Sequence, residues 1–435
     1  MADPVIRLEP DSPVPPRWSL ARRILFRFAF AYLLLCTTTY ALYFLNFVPL
    51  PDFVVRPYLA FWDSLVPWVG AAVFQADASV LPNGSGDTTY NYVQVFCFFL
   101  LALTATAIWT LLDRKRPHYA RLQGALHVYV RFALAFWMFA YGSIKVFPLQ
   151  GGSLTLDRLL QPIGDSSPEG FFWSFMAASV AYKVFSGLAE MLGGFLLVFR
   201  RTALLGALVG VGVFTHVVVL NFCYDVPLKL FSSHLLVLAV FIVLPDLRRL
   251  ANLFVFGRPV EAAPARPYVE KKWLRWARPA LPMIFILAFA VAPLLQARER
   301  WQRLGQAPKR PLYGIWNVEE FFLDGEERPL SFTDETRWRR VVFDQPHTLA
   351  ILTSGSRERF QLEPNFGALR LSLAKIDDPR WSSVLTYRRI DPKTLAIEGT
   401  FDGHAVQAQL RRIDPPEFRL VSKGFHWIHE HPYSR

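Results

Sequence analysis

From residue 24 to about residue 298 the chain is written in apolar runs of roughly 20 residues separated by short charged stretches. Beyond that, short runs alternate apolar with polar positions. Twenty residues at about 1.5 Å each reach across a hydrocarbon core of about 30 Å, so the first pattern predicts a polytopic bundle of about seven transmembrane helices. The predicted spans are 24–47, 91–112, 124–147, 172–199, 202–223, 232–247 and 279–297. The sixth is short, and the seventh carries Pro279, Pro282 and Pro293, which interrupt helical hydrogen bonding. The run that follows Arg23 is longer than a signal-peptide core and lacks an A-x-A-like cleavage site, so it reads as a retained first helix.

The second pattern predicts strands at 315–323, 337–343, 348–353, 357–363, 368–374, 384–390, 395–400, 405–412 and 418–422. So many short strands at even spacing point to a small up-and-down antiparallel β-barrel. The opening Gly314-Ile315-Trp316 resembles the GxW signature of lipocalin-like barrels, which implies a Trp at the barrel floor beneath a late Arg, here Arg412 or Arg419. Three parts follow: a segment 1–23, a helical membrane domain 24–298 and a β-barrel domain 299–435.

Composition changes this picture little. The chain is 53% hydrophobic and 19% charged, too apolar for water unless much of its surface meets lipid. The net charge of +12 does not point to nucleic acid, because the basic residues sit beside the spans and no nucleic-acid motif accompanies them. They fall in alternate loops: Arg7, Arg17, Arg22 and Arg23, then the 114–121 loop, Arg200 and Arg201, and the 248–278 loop, against only Arg56, Arg158 and Lys229 opposite. This asymmetry predicts a cytoplasmic N-terminus and, with an odd number of spans, an exported barrel. Lys271, Lys272, Trp273, Arg275 and Trp276 read as an interfacial anchor, and membrane lipid is the first partner. Cys36, Cys97 and Cys223 form no CxxC pair, which speaks against a redox dithiol or a thiolate metal site. The His426, His429 and His431 run reads as a surface strand and tail, so no metal site is assigned.

Ionisable residues inside spans are costly and mark where function is sought. Counted from the cytoplasmic ends, Arg131 and Glu190 match in height and opposite charge, which predicts an ion pair between the third and fourth spans. Tyr141, Lys183 and His216 share a second level, and as phenol, amine and imidazole they form a candidate catalytic trio able to donate to a carbonyl and move a proton. A quinone head group fits that chemistry, and a buried network that only specifies helix packing fits it equally. Asn221, Asp225 and Lys229 crowd one short exported turn as further ligand-binding candidates, with a turn-fixing Asp–Lys pair as the other reading. Gly187, Gly193, Gly194, Gly206 and Gly210 read as helix-packing positions.

Residues 139–250 resemble the DoxX family of bacterial membrane proteins, through Tyr141-Gly142-x-x-Lys145-x-x-Pro148, the Glu190 helix with Gly187 and Gly193-Gly194, and a Gly-rich helix running to Asn221. The resemblance implies a four-helix core within 124–250, a bacterial inner-membrane location and a role beside quinone-linked oxidoreductases, with Tyr141, Lys145 and Glu190 carried over. No haem, flavin, nicotinamide or iron–sulfur motif is present, so electrons would travel on a quinone or a redox partner at the exported face. Three functions stay open: a quinone-interacting subunit or small oxidoreductase, a membrane-anchored protein whose barrel binds a lipid or apolar ligand or assists assembly, and a lipid-modifying or carboxylase-type enzyme.

Overall fold

A computed structural model describes residues 17–44, 52–81, 84–260, 280–306, 311–331, 333–344, 348–354, 356–375, 378, 380–413 and 418–431. The expected anchor at Lys271, Lys272, Trp273, Arg275 and Trp276 lies outside these residues, as does Arg7. The chain divides into two compact units, Met1–Leu149 with Ala181–Glu299, and Gln150–Val180 with Arg300–Arg435.

The first unit is helical: α1 (Leu20–Phe44), α2 (Asp52–Val69), α3 (Thr89–Leu112), α4 (Ala120–Val146), α7 (Val180–Val198), α8 (Ala203–Cys223), α9 (Lys229–Val243), α10 (Leu247–Phe254) and α11 (Ala280–Gln306). Two short helices of the second unit, α5 (Leu156–Leu159) and α6 (Pro168–Ala178), intervene between α4 and α7. Among the described residues, seven helices are long and apolar enough to cross a membrane, with α9 and α10 joined as one through a tight turn at Pro245. The protein is a multi-pass membrane protein. Side chains such as Phe185, Leu192 and Leu205 face outward, as lipid requires, while Leu134, Met138, Ala207 and Ala239 fill the interior.

Two polar devices organise the helix ends. Arg27 of α1 is fully buried and donates from Nη1 to Thr110 Oγ1 (2.8 Å) and from Nη2 to Asp113 O (2.8 Å) and Tyr119 Oη (2.7 Å), so its charge meets the carbonyl end of α3. Asp87 accepts the backbone N–H groups of Lys229 (2.7 Å) and Leu230 (3.0 Å), capping α9 from a distant loop. Between helices, glycine permits backbone contact: a Cβ at Gly206 would stand 2.6 Å from Leu197 N and 2.9 Å from Gly193 O.

The predicted span 172–199 requires correction. Its apolar start belongs to α6, which Ser167 caps and Pro168 opens, and the extended Ser179 (φ −123°, ψ 99°) ends that helix before α7 begins at Val180. Phe172 and Met176 are apolar because they are buried within the second unit, a cause that an apolar run cannot distinguish from lipid contact. The predicted span 232–247 is longer in the structure, Lys229–Phe254.

The second unit is built on β1 (Gly314–Leu323), β2 (Glu326–Glu327), β3 (Arg340–Asp344), β4 (Thr348–Leu352), β5 (Arg357–Asn365), β6 (Arg370–Lys375), β7 (Ser382–Asp391), β8 (Thr394–Phe401) and β9 (His404–Ile413). Each strand pairs antiparallel with its successor, β1 passing over the short β2 to β3, and β9 returns to β1, so β1 and β3 to β9 make a closed barrel. Closure leaves no edge for the strand predicted at 418–422, which is instead the short helix α12 (Arg419–Ser422). Trp316 lies on the barrel floor with its indole N–H donating to Leu312 O (2.9 Å), and Arg412 is its cross-strand partner, of the two arginines expected there. Arg337, expected to open a strand, precedes β3 and is buried, its guanidinium donating to the carbonyls of Arg328, Trp338, Val318 and Glu319. Inward positions of all the barrel strands form one buried cluster, crossed by contacting rings of Phe321, Trp338, Phe401, Phe360 and Trp381. On the outer face of β1, β3 and β4, Ile315, Val342 and Ala350 are covered by Leu156 of α5.

Introducing a side chain at the α7–α8 contact is expected to cost stability: Gly206→Val should lower the detergent melting temperature through about 1–3 kcal/mol of overpacking, while Gly212→Ala, with nothing within 4 Å of its Cβ position, should leave it unchanged. The barrel turns predict an acid limit. The carboxyls of Asp324, Asp334 and Asp391 are held below the usual range, chiefly by side-chain hydrogen bonds from His404, Thr336 and Thr394 respectively. Groups depressed on folding contribute fully above their unfolded value of about 3.9 and lose that contribution as pH falls through the folded value. Barrel unfolding followed by near-UV circular dichroism should therefore become easier below about pH 4, and less steeply so in Asp324→Asn.

Candidate functional site

The helices α4 and α7 touch backbone to backbone at Gly142 and Gly187, each of whose Cβ positions would meet the other's carbonyl oxygen, at 2.9 and 2.8 Å. One turn from each glycine stands an ionisable residue, Lys145 on α4 and Glu190 on α7. Helical side chains lean toward their own N-terminus. Because the two helices run in opposite directions, Lys145 and Glu190 therefore lean toward each other across the glycine contact. They form an ion pair between Nζ and Oε1, with Lys145 only 8% exposed and Glu190 1%. The second oxygen, Oε2, is buried and has no hydrogen-bond partner among the described residues.

Glu190 thus takes Lys145 and not the Arg131 expected from height. Counting from span ends gives height but not the face a side chain takes, and the glycine contact brings Glu190 to Lys145. The Arg131 guanidinium lies 5.0 Å from the Phe132 ring centroid.

Tyr141, Lys183 and His216 each stand in a setting of their own. Tyr141 packs against Trp137 and Phe231, at 6.0 and 5.6 Å between centroids. Lys183 is buried on the same stripe of α7 as Gly187 and Glu190. His216 is exposed on α8 and shares a hydrogen bond with Tyr182 Oη (3.3 Å). Of the three, Tyr141 is half-buried, Lys183 buried and His216 exposed, a difference that equal depth does not report.

The turn between α8 and α9 is a structural clasp. Asn221 Nδ2 donates to Leu228 O (3.2 Å) and Ser232 Oγ (3.0 Å), closing the turn from within. Asp225, in a left-handed backbone conformation (φ 53°), pairs with Lys229 Nζ (2.7 Å), which also lies 3.9 Å from Asp87. Each of these expected ligand-binding residues is engaged in holding the turn. Asp87 and Arg27 escaped the sequence reading. Asp87 stands in a Gly-Ser-rich turn whose partner is 142 residues away, and Arg27, inside the first predicted span, finds its partners Thr110, Asp113 and Tyr119 far along the chain.

A second constellation lies in the other unit. Asp157 of α5 is buried, its Oδ2 accepting from Arg359 Nε (2.5 Å) and its Oδ1 lying 3.5 Å from Arg357 Nε, while its backbone N–H donates to Asp344 Oδ2 (2.9 Å). Nothing in the linear pattern joined α5 to β5.

The chain is 32% identical over 126 residues to the uncharacterized protein YwoB of Bacillus subtilis (strain 168), which covers 28% of this chain and 79% of YwoB. The chain belongs to the YwoB family. No family model and no solved structure matches it. Membership of the YwoB family spans little more than a quarter of the chain, so any role for the Lys145–Glu190 pair has to be argued from its chemistry.

Breaking this pair from one side strands a buried charge. Lys145→Met should destabilise the protein by about 3–5 kcal/mol, whereas Lys145→Met with Glu190→Leu, which removes both charges, should recover most of the loss. Thermal melts in one detergent for the three proteins test the coupling, and additive losses would argue against it.

Proposed function

We propose that this chain is a DoxX-like protein of the bacterial inner membrane that takes a quinone-class head group at the Lys145–Glu190 pair, as the quinone-binding subunit of a membrane oxidoreductase. The observation that carries this reading is a charged pair deep in an apolar bundle whose carboxyl keeps one oxygen, Oε2, without a partner among the described residues. Burying a pair costs desolvation free energy that tight hydrophobic packing would avoid, so a chemical use accounts for its place.

The chemistry suits such a ligand. A quinone carbonyl accepts hydrogen bonds, which a lysine ammonium or a protonated carboxyl can donate. Full reduction takes up two electrons and two protons, and within a Lys–Glu pair a proton can rest on either Nζ or the carboxyl, so the pair can pass one on. The electrons come from a redox partner on the exported side. That orientation, with the N-terminus in the cytoplasm and the barrel outside, draws on the Lys and Arg asymmetry between alternate loops. It is further supported by the membership of Gln150–Val180 and the barrel in one unit, since an even number of spans separates them along the chain.

The alternative of a ligand held inside the barrel has less support, because the inward positions are occupied by a continuous cluster of buried side chains.

Solvent extraction of protein purified in mild detergent, followed by mass spectrometry, tests the proposal. Wild type should carry a quinone, His216→Ala should retain it, and the Lys145→Met, Glu190→Leu double variant should lose it while remaining folded. A folded double variant carrying the wild-type amount, or a wild type carrying none, would sink the idea.

A further inference from the structure

The second unit holds a cavity of about 320 Å³, open at one side, whose lining includes Ser153, Arg158, Trp173, Ser174, Thr348 and Arg359. All of these belong to the Gln150–Val180 segment and the barrel strands, in the unit that does not contain the Lys145–Glu190 pair.

Three guanidinium groups meet beside it. Arg158, Arg357 and Arg359 gather around one buried carboxylate, Asp157. Gln161 Oε1 ties two of them together, accepting from Arg158 Nη1 (2.5 Å) and Arg359 Nη2 (3.3 Å). The other carboxylates nearby are Asp344, which lines the cavity and accepts the Asp157 backbone N–H, and Asp165, which acts on Arg357. The crowding shows in the guanidinium groups themselves: Arg158 is lowered from its ordinary range by burial and then by Arg359, and Arg357 likewise by burial.

The α6 helix adds a positive helix end. A Cβ at Gly170, in its first turn, would stand 2.9 Å from Arg158 Nη2, so the guanidinium lies against the positive end of an 11-residue helix. A cation at that end is unfavourable by itself and becomes favourable once an anion joins it. The first-turn acid Glu169 faces Trp173, its Oε1 accepting from Trp173 Nε1 (3.0 Å). That bond and Gly151, whose Cβ position lies 2.8 Å from Trp173 Cε3, fix the indole as a wall of the cavity.

We infer that this cavity binds a phosphate-class anion, with Arg158 and Arg359 holding the phosphate and Trp173 flanking the organic group that bears it. Guanidinium forks match phosphate oxygens in pairs, and an aromatic wall suits an amphiphilic ligand. Ala177, at the cavity, stands a few residues before Val180, the first residue of a spanning helix, so a phospholipid head group is a ready source and a soluble phosphate is the other.

The test is titration of the full chain in neutral detergent, followed by tryptophan fluorescence, with dioctanoyl phosphatidylglycerol, dioctanoyl glycerol and inorganic phosphate. Saturable binding of the phospholipid and not of the uncharged glyceride is expected. Competition by inorganic phosphate at comparable concentration would identify a soluble phosphate as sufficient, whereas competition only at far higher concentration would identify the lipid; both outcomes support the site. Arg158→Gln should weaken binding roughly tenfold or more, in line with loss of one charge-assisted hydrogen bond, and Arg158→Lys should weaken it less. Arg388→Gln, a change on an exposed barrel arginine, should have no effect. Equal binding by folded Arg158→Gln and wild type, or equal binding of the uncharged glyceride, would overturn the inference. Quinone retention is measured independently on the same preparations, so failure here leaves the proposed quinone role standing, and the reverse.

Discussion

Two backbones can touch only where neither carries a Cβ, and the approach of Gly142 to Gly187 is the constraint from which the helical unit takes its chemistry. It brings α4 and α7 close enough for Lys145 and Glu190, each one turn from its glycine, to meet inside the bundle. Further along α7, Gly193 and Gly194 receive Met138 and Phe139 of α4, and Gly206 of α8 rests against the α7 backbone. In lipid the hydrophobic effect does not press helices together, so close van der Waals contact and interhelical polar bonds do that work. The same glycines thus supply the packing and place the charges.

The second unit obeys different physics. Its barrel is closed through β1 and β9 and filled by Leu and aromatic side chains, which makes it rigid without lipid. A segment between two spanning helices, 150–180, is recruited to its outer surface through Leu156 and the buried Asp157. A buried carboxylate is tolerated there because guanidinium groups and a helix of the same unit surround it. The gathering of three guanidinium groups around it is what marks that surface chemically.

Much of the fold was legible because each solvent imposes its own period. Apolar runs of spanning length, loops sorted by Lys and Arg, and alternation in the last third follow from lipid, membrane insertion and pleated strands respectively. The failures share one cause. Phe172 and Met176 looked like a span because burial in protein and exposure to lipid select the same residues. Residues 418–422 looked like a strand because alternation does not report that the sheet has already closed. The resemblance singled out Lys145 and Glu190 together, while depth counting matched Glu190 with Arg131, since height along a span says nothing of which faces meet.

By itself the sequence determined what each segment is made to be: a membrane helix, a barrel strand, a basic flank, a glycine able to pack. Those properties are local, fixed by the transfer free energy and backbone freedom of a few neighbouring residues. Only the tertiary structure decided which side chains share a site. It joined Glu190 to Lys145, set His216 beside Tyr182, tied Asp87 to the start of α9 and brought Arg357 and Arg359 to Asp157. Partnerships of this kind depend on the rotation and level at which elements dock, and those are set by contacts between residues far apart in the chain.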